Sequence, residues 1–237
     1  MKGYYLHSMN LIKSGWIILI ILTSSHTFAQ STDKIVDNIN WQVFKFSFLL
    51  NDQWSFDLTP IHRFNKNFTN HLNSSIDFTL KRKLNNGFQG ALISRTFFTP
   101  SRRPRQFVWF DLAHKHALTE TPFTLTQRVR YHWGLNINEN DERDFIRYIA
   151  VLSFPLKNKK WRPNIAIEPW FRLNGINYIE RVRYELGIAY RATESFGIQA
   201  KYWREAWYGL DINPLNHIWV IGLQYKFLNP LFGKTIK

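Results

Sequence analysis

The chain has 237 residues, enough for one barrel or for one to two ordinary domains. It carries 31 Lys and Arg against 17 Asp and Glu, and its mean hydropathy of −0.31 is too low for a bundle of membrane helices. The absence of cysteine excludes disulfide bonds, thiolate metal sites, a cysteine nucleophile and a lipoprotein anchor. The basic excess leaves three classes of partner open: an anionic lipid surface, an anionic solute and nucleic acid.

The N-terminus has the pattern of an export signal. Lys2 and Lys13 form a basic front, residues 16–22 form an apolar core, and residues 27–29 form a cleavage site with small flanking side chains. The apolar run is shorter than the roughly 20 residues that a helix needs to span a bilayer. We therefore expect a signal peptide over residues 1–29 and a mature domain over residues 30–237. Export also removes nucleic acid from the expected partners.

After a polar leader, the chain divides into segments in which apolar and polar residues alternate, separated by turn residues. The predicted strands cover residues 39–50, 54–64, 72–81, 88–98, 107–118, 123–133, 145–156, 163–173, 178–192, 196–208 and 217–227. The sixth shows the pattern clearly, because Val129 and Tyr131 alternate with Arg128, Arg130 and His132. No segment has sustained helical periodicity, so the sequence predicts one all-β domain.

The last predicted strand has one nearly all-apolar face with aromatic residues near both ends. That face carries His217, Trp219, Ile221, Leu223, Tyr225 and Phe227, and the other carries Ile218, Val220, Gly222, Gln224 and Lys226. A soluble sheet rarely places aromatic residues at both ends of one face. The predicted strands also match the roughly 9 to 11 residues with which a tilted strand crosses a bilayer. These features favour a single antiparallel transmembrane β-barrel of about 10 to 12 strands.

The strand count contains a conflict. Bacterial single-chain barrels have even numbers of strands, whereas the sequence shows eleven segments. Either the leader, residues 31–38, adds a twelfth strand, or one predicted strand does not span and ten remain. Both resolutions place the conflict at the seam, where the last strand meets the first.

Several features of the sequence point to one family. They are an early tryptophan, Trp41; Arg63 and Phe64 at the end of the second strand; short turns at one end of the hairpins; and Gly222, Tyr225 and Phe227 in the closing strand. With these features the chain resembles a bacterial outer-membrane β-barrel family, the domain-of-unknown-function 2490 family. The resemblance spans nearly the whole mature chain and implies a barrel in the outer membrane of a Gram-negative bacterium. It supplies no established active site.

Charged residues concentrate on the face opposite the apolar one, where a barrel has its lumen. The candidate lumen-lining residues are Arg128, Arg130, His132, Arg147, Glu168, Arg172, Arg181, Arg183 and Glu185. Their arginines suit a phosphate or carboxylate, as in a porin-like path for anions. Alternatively, the charges pair into a plug that fills a small barrel. The sequence favours the plug and leaves a small anionic solute open as a partner.

A lipid hydrolase would need a serine, a histidine and an orienting group close together near the membrane interface. The candidate histidines are His62, His71, His114, His116, His132 and His217. Ser74 and Ser75 lie near His71 in sequence, whereas Ser94 and Ser153 are isolated, so no catalytic residue is assigned. His114 and His116 share a strand face but lack a third ligand, and neither a metal nor another cofactor is predicted.

The primary prediction is therefore a non-enzymatic outer-membrane barrel with a charged lumen, either structural or a narrow pore for small solutes. The alternative is a membrane-embedded lipid hydrolase or acyltransferase. The expected partners are outer-membrane lipid and lipopolysaccharide, whose phosphates the basic loop at residues 101–105 would contact if it faces outward. The sequence predicts no particular oligomeric state.

Overall fold

A computed structural model of the chain describes residues 36–100, 102–118, 121–133, 144–156, 160–173, 178–208 and 215–231. The expected signal peptide, residues 1–29, lies outside these ranges, as do residues 134–143 between the sixth and seventh predicted strands. Within the ranges, no helix is long and apolar enough to cross a membrane.

The described residues form one closed barrel of eleven strands, which confirms the predicted all-β barrel. In chain order the strands are β1 (Val36–Leu49), β2 (Trp54–Asn65), β3 (Asn70–Lys83), β4 (Phe88–Phe98), β5 (Arg105–Ala117), β6 (Thr124–Trp133), β7 (Phe145–Ser153), β8 (Trp161–Arg172), β9 (Tyr178–Arg191), β10 (Phe196–Trp207) and β11 (Leu215–Phe227). Each strand pairs antiparallel with the next, and β1 pairs with β11 to close the ring.

The seam between β1 and β11 is parallel. Its ladder runs from Val36 opposite Leu215 to Phe48 opposite Phe227. An odd number of strands joined by hairpins must bring the first and last strands together in the same direction. Neither expected resolution of the strand count is correct, because the ring closes with eleven strands and residues 36–38 of the leader extend β1. This ladder pairs the edge of β1 with the edge of β11, so neither edge is left open. A parallel ladder is only slightly less stable per residue than an antiparallel one.

The barrel has two distinct ends. The loop end carries the connections at residues 66–69, 99–104, 134–144, 173–177 and 208–214, and the turn end carries those at residues 50–53, 84–87, 118–123, 154–160 and 192–195. With eleven strands, β1 begins at the loop end while β11 ends at the turn end. The two chain termini of the barrel therefore lie at opposite ends.

Side chains alternate between interior and exterior as the sequence predicts. On β11, Trp219 and Ile221 are 47% and 56% exposed, whereas Ile218 and Val220 are 2% and 3% exposed. Exposed aromatic side chains stand near both ends of the barrel. They include Phe98, Trp133 and Trp219 toward the loop end, and Phe88, Trp161 and Phe227 at the turn end. The exterior is thus apolar with aromatic residues near its two edges.

Two prolines interrupt the ladders on one side only. Pro60 has no partner in β1, and Pro169 has none in β7, because proline lacks the backbone donor that a ladder needs. Each still pairs on its other side, Pro60 with Ile76 of β3. A register shift follows each proline, and the one after Pro60 lies between Arg63 and Phe64. The proline in the second predicted strand is therefore accommodated inside a full-length strand of the barrel.

The parallel seam predicts a specific cross-link. Gln42 and Ile221 are partners across it and both face outward, so a Gln42→Cys and Ile221→Cys double variant should form a disulfide on oxidation. The chain has no other cysteine to compete. The control pairs Gln42→Cys with Phe227→Cys, on the same face but further along β11. Peptide mapping by mass spectrometry should find the bridge in the first variant alone, and equal cross-linking of both would contradict the seam.

Candidate functional site

The barrel encloses a cavity of about 870 Å³ lined by inward-facing residues of every strand. Its cationic lining residues are Lys45, Arg63, Lys81, Arg95, Arg128, Arg130, Arg147, Arg181, Arg183 and Lys201, and its acidic ones are Asp57, Asp77, Asp111, Glu168, Glu185 and Glu205. Among the described residues of the lining, ten cations thus face six carboxylates, a formal excess of four positive charges.

The structure brings eight of the nine candidate lumen residues together around this cavity. They are Arg128, Arg130, His132, Arg147, Glu168, Arg181, Arg183 and Glu185. Arg172 is not among the lining residues, since it is the last residue of β8, and its Nη1 lies 3.5 Å from the Tyr178 hydroxyl at the loop end. The candidate set lacked Arg63 and Glu205, although both occupy inward positions that the alternation of β2 and β10 marks.

Two glutamates hold three arginines in a buried network. Arg147 donates from Nε to Oε1 of Glu168 at 2.7 Å and also from Nη2 to the same oxygen. Arg183 donates from Nη1 to Oε2 of Glu168 at 3.1 Å, and from Nη2 to Oε2 of Glu205 at 2.5 Å. Arg181 adds an ion pair of 3.7 Å with Glu205. Both carboxylates are less than a tenth exposed, so their charge must be matched inside the barrel.

The remaining carboxylates are also paired. Arg95 donates hydrogen bonds from Nε and Nη2 to Asp77, both at 2.5 Å, and Arg130 donates from the same two atoms to Asp111 at 2.6 and 2.7 Å. These forked pairs are the strongest class of charged hydrogen bond. Nearer the turn end, Asp57 accepts from two lysines and Glu185 from one. Every lining carboxylate therefore already has at least one cation.

Exposure of the cationic side chains increases toward the turn end. The side chains of Lys45 and Arg128 are 34% exposed and that of Lys201 is 25% exposed. Those of Arg147 and Arg183, nearer the loop end of their strands, are 8% exposed. Among the described residues, the cavity is thus most accessible from the turn end.

Aromatic side chains fill the loop-end half of the interior by stacking on guanidinium groups. The Cζ atoms of Arg147 and Arg181 lie 3.7 and 3.3 Å from the ring centroid of Trp170. Arg95 lies 4.3 Å from the ring centroid of Trp109. An indole face stabilises a cation without adding negative charge, so this layer keeps its positive charge.

Within the part of the chain that the structure describes, several hydrogen-bond donors of the lining have no protein acceptor. They are Nη2 of Arg63, Nε of Arg128 and Arg181, and the indole Nε1 of Trp41, Trp109 and Trp170. Arg63 is the clearest case, because it is 4% exposed and its Nη1 donates to Asn73 Oδ1 at 2.6 Å. No carboxylate among the described residues forms an ion pair with it. Its guanidinium lies over the faces of Trp41 and Phe97, with Cζ 4.3 and 4.9 Å from the ring centroids.

The histidines lie on both faces of the barrel. His132 lines the cavity, whereas His114 and His116 face outward with ring centroids 5.0 Å apart. The Nε2 atom of His114 lies 3.1 Å from the carbonyl oxygen of Asn86 in the adjacent turn. Across the ranges that the structure covers, no group of three or more His, Cys, Asp or Glu side chains is placed to hold a metal ion.

Fold and interior together define a closed β-barrel with a parallel seam and a cation-rich, aromatic-lined cavity. Residues 38–208, from β1 through β10, match the family described as "Protein of unknown function (DUF2490)". Because the match covers well over half of the chain, the protein belongs to this family, which confirms the predicted resemblance. No curated protein and no solved structure matches the chain.

The buried network predicts a large stability difference between two conservative substitutions. Glu168→Gln removes the carboxylate that Arg147 and Arg183 share and leaves both cations undercompensated. We expect a loss of about 3 to 5 kcal/mol in the free energy of unfolding, measured by urea titration in detergent micelles. Asp52→Asn in an exposed turn is the control and should change stability by less than about 0.5 kcal/mol. Equal effects of the two substitutions would contradict the network.

Proposed function

We propose that this protein is an integral outer-membrane barrel whose interior binds a small anionic solute. The apolar exterior supports the membrane location, and the surplus of cations and unmatched donors around the cavity supports anion binding. The two parts of the proposal rest on different faces of the same strands and can be tested separately.

The exterior supports insertion into a bilayer. Large apolar side chains in the middle of strands face outward, with Leu112 51% and Ile221 56% exposed. Soluble monomers rarely expose apolar surface continuously around the molecule. Aromatic residues toward both ends match the girdles of outer-membrane barrels. In such barrels short turns face the periplasm, which would place the turn end there and the basic residues Arg102 and Arg103 at the cell surface, near lipopolysaccharide.

The interior supports an anion as the solute. Every lining carboxylate is already paired, yet four positive charges remain in excess and six buried donors lack an acceptor. Arginine forks and indole N–H groups match the oxygen atoms of a phosphate or carboxylate. The unmatched Nη2 of buried Arg63 is the observation that carries this assignment most directly.

The distribution of exposure supports a binding site more than an open pore. A solute entering from the turn end would pass the partly exposed cations Lys45, Arg128 and Lys201, which would raise its local concentration. It would then meet the layer of stacked guanidinium and indole groups around Trp109 and Trp170. The solute would be held against this layer.

Anion binding predicts a specific role for Arg63. We expect Arg63→Gln to weaken binding of inorganic phosphate at least tenfold, because a hydrogen bond to a charged group contributes about 1.5 to 3 kcal/mol. Binding can be followed by quenching of the tryptophans that line the cavity. The control for net charge is Arg82→Gln, which removes an arginine at an outward position of β3, beside Trp54 at the turn end. This variant should leave the affinity unchanged. Equal affinities of the two variants would argue against the site.

Membrane insertion predicts opposite tolerances at two neighbouring positions of β5. Leu112→Arg places a cation on the apolar exterior near mid-strand and should cost about 2 to 4 kcal/mol of folding into phospholipid vesicles. Ala113→Arg, one residue on, points the same side chain into the cavity and should cost much less. The free energy of folding in vesicles distinguishes them. A greater cost for Ala113→Arg would contradict the proposed lipid-facing surface.

A further inference from the structure

A serine on the barrel exterior lies between two histidines near the loop end. Ser74 Oγ is 2.9 Å from Nδ1 of His62 and 2.9 Å from Nε2 of His71. His62 is the cross-strand partner of Ser74 in the ladder between β2 and β3. Chain alternation alone would turn His71 away from Ser74, since the two positions are an odd number of residues apart. The three side chains nevertheless meet at one point of the surface.

The register shift between Arg63 and Phe64 brings His71 to this face. Beyond the shift His71 pairs with outward-facing Phe64, and its ring lies edge-on to that of Phe64 at 5.6 Å. Bulges re-aim side chains in this way and are common beside active sites. The irregularity thus converts a serine and histidine pair into a cluster of three.

The cluster lies where the apolar exterior gives way to polar side chains. On β1, the outward positions Asn40 and Gln42 are polar and stand opposite Phe64 and His62. Toward the turn end of β3, the outward positions Phe78 and Leu80 are 47% and 37% exposed. A lipid in this position would have its acyl chains against the apolar part and its ester groups near Ser74.

We infer that Ser74, His71 and His62 form a serine hydrolase site for acyl esters carried by membrane lipids. The site is separate from the anion-binding cavity, and only its lipid substrate class rests on the proposed membrane location. The fold itself does not require the cluster, because the ladders on both sides already fix the backbone of Ser74. By comparison Ser94, an outward serine on β4, contacts only the amide of Gln106, at 3.2 Å.

The geometry assigns a role to each side chain. A serine hydroxyl has one proton, so one histidine accepts it and the other donates a ring N–H to the oxygen. His71 is the base, because it stands at the start of β3 beside the polar connection at residues 66–69, where water can exchange protons. His62 lies between Pro60 and Phe64 on its own strand face and donates a hydrogen bond to Oγ, which orients the hydroxyl so that its proton points to Nε2 of His71.

The reaction follows the order of covalent acyl transfer. Oγ of Ser74 attacks the ester carbonyl carbon while its proton passes to Nε2 of His71. The tetrahedral intermediate collapses, the bond to the alcohol oxygen breaks, and His71 gives its proton to that oxygen, which leaves as the lyso-lipid. Water then attacks the acyl-serine and gives a proton to His71. The fatty acid leaves, and the proton returns to Ser74.

A fluorophosphonate probe tests the serine in detergent, where no membrane is needed. The folded wild-type barrel should react at Ser74, with loss of fluoride, and mass spectrometry of its peptides should place the adduct there without any variant. Ser74→Ala should not react, and Ser94→Ala should react like the wild type. The reaction of His71→Asn should be slower by a factor of about 100 or more. Absence of an adduct on folded wild-type protein, or an adduct at another residue, would overturn the inference.

A second measurement tests the substrate class. Release of fatty acid from phosphatidylethanolamine vesicles should require Ser74, and so should turnover of p-nitrophenyl butyrate in detergent. Turnover of the soluble ester without release of fatty acid from vesicles would overturn the lipid substrate while supporting the catalytic serine. Folding of each variant is checked by circular dichroism and by heat-dependent gel mobility. A Leu112→Arg barrel that fails to insert would test the membrane location independently of the serine.

Discussion

Pairing of buried carboxylates with guanidinium groups is the constraint on which the rest of this structure depends. Alternation along each strand sends half of the side chains inward, and an apolar exterior forces most charges to that side. The interior cannot hydrate all of them, so Glu168 and Glu205 must be matched by Arg147 and Arg183. Once the carboxylates are matched, the cations left over define the chemistry of the cavity.

The leftover cations are held in a way that preserves their charge. Indole faces support both Arg63 and Arg181, at 4.3 Å from Trp41 and 3.3 Å from Trp170, and Arg181 also forms an ion pair with Glu205. This stacking stabilises each guanidinium while leaving N–H groups without acceptors. The same residues that fill the loop-end half of the barrel would therefore form the proposed anion-binding surface. The stacking of guanidinium groups on indole rings thus underlies both the packing of the barrel interior and the proposed anion binding.

The sequence was sufficient to predict features that depend on the alternation of polar and apolar residues along one strand. It was insufficient to predict features that depend on which strands and side chains pair. The pattern of Arg128, Val129 and Arg130 alone assigns interior and exterior. The parallel seam was not predictable, because the closure of an odd-stranded ring is a tertiary property. The ion pair of Arg183 with Glu205 depends on the register between β9 and β10. His71 joins Ser74 only through a register shift that alternation cannot reveal.

Anomalous diffraction from crystals of the folded protein soaked in selenate tests the proposed anion site in the cavity most directly, because selenium marks a phosphate-like anion by its own scattering. We expect a peak inside the barrel within hydrogen-bond distance of Nη2 of Arg63, between Trp41 and the ion-pair network. Selenate bound only at surface arginines, with no peak in the cavity, would contradict it.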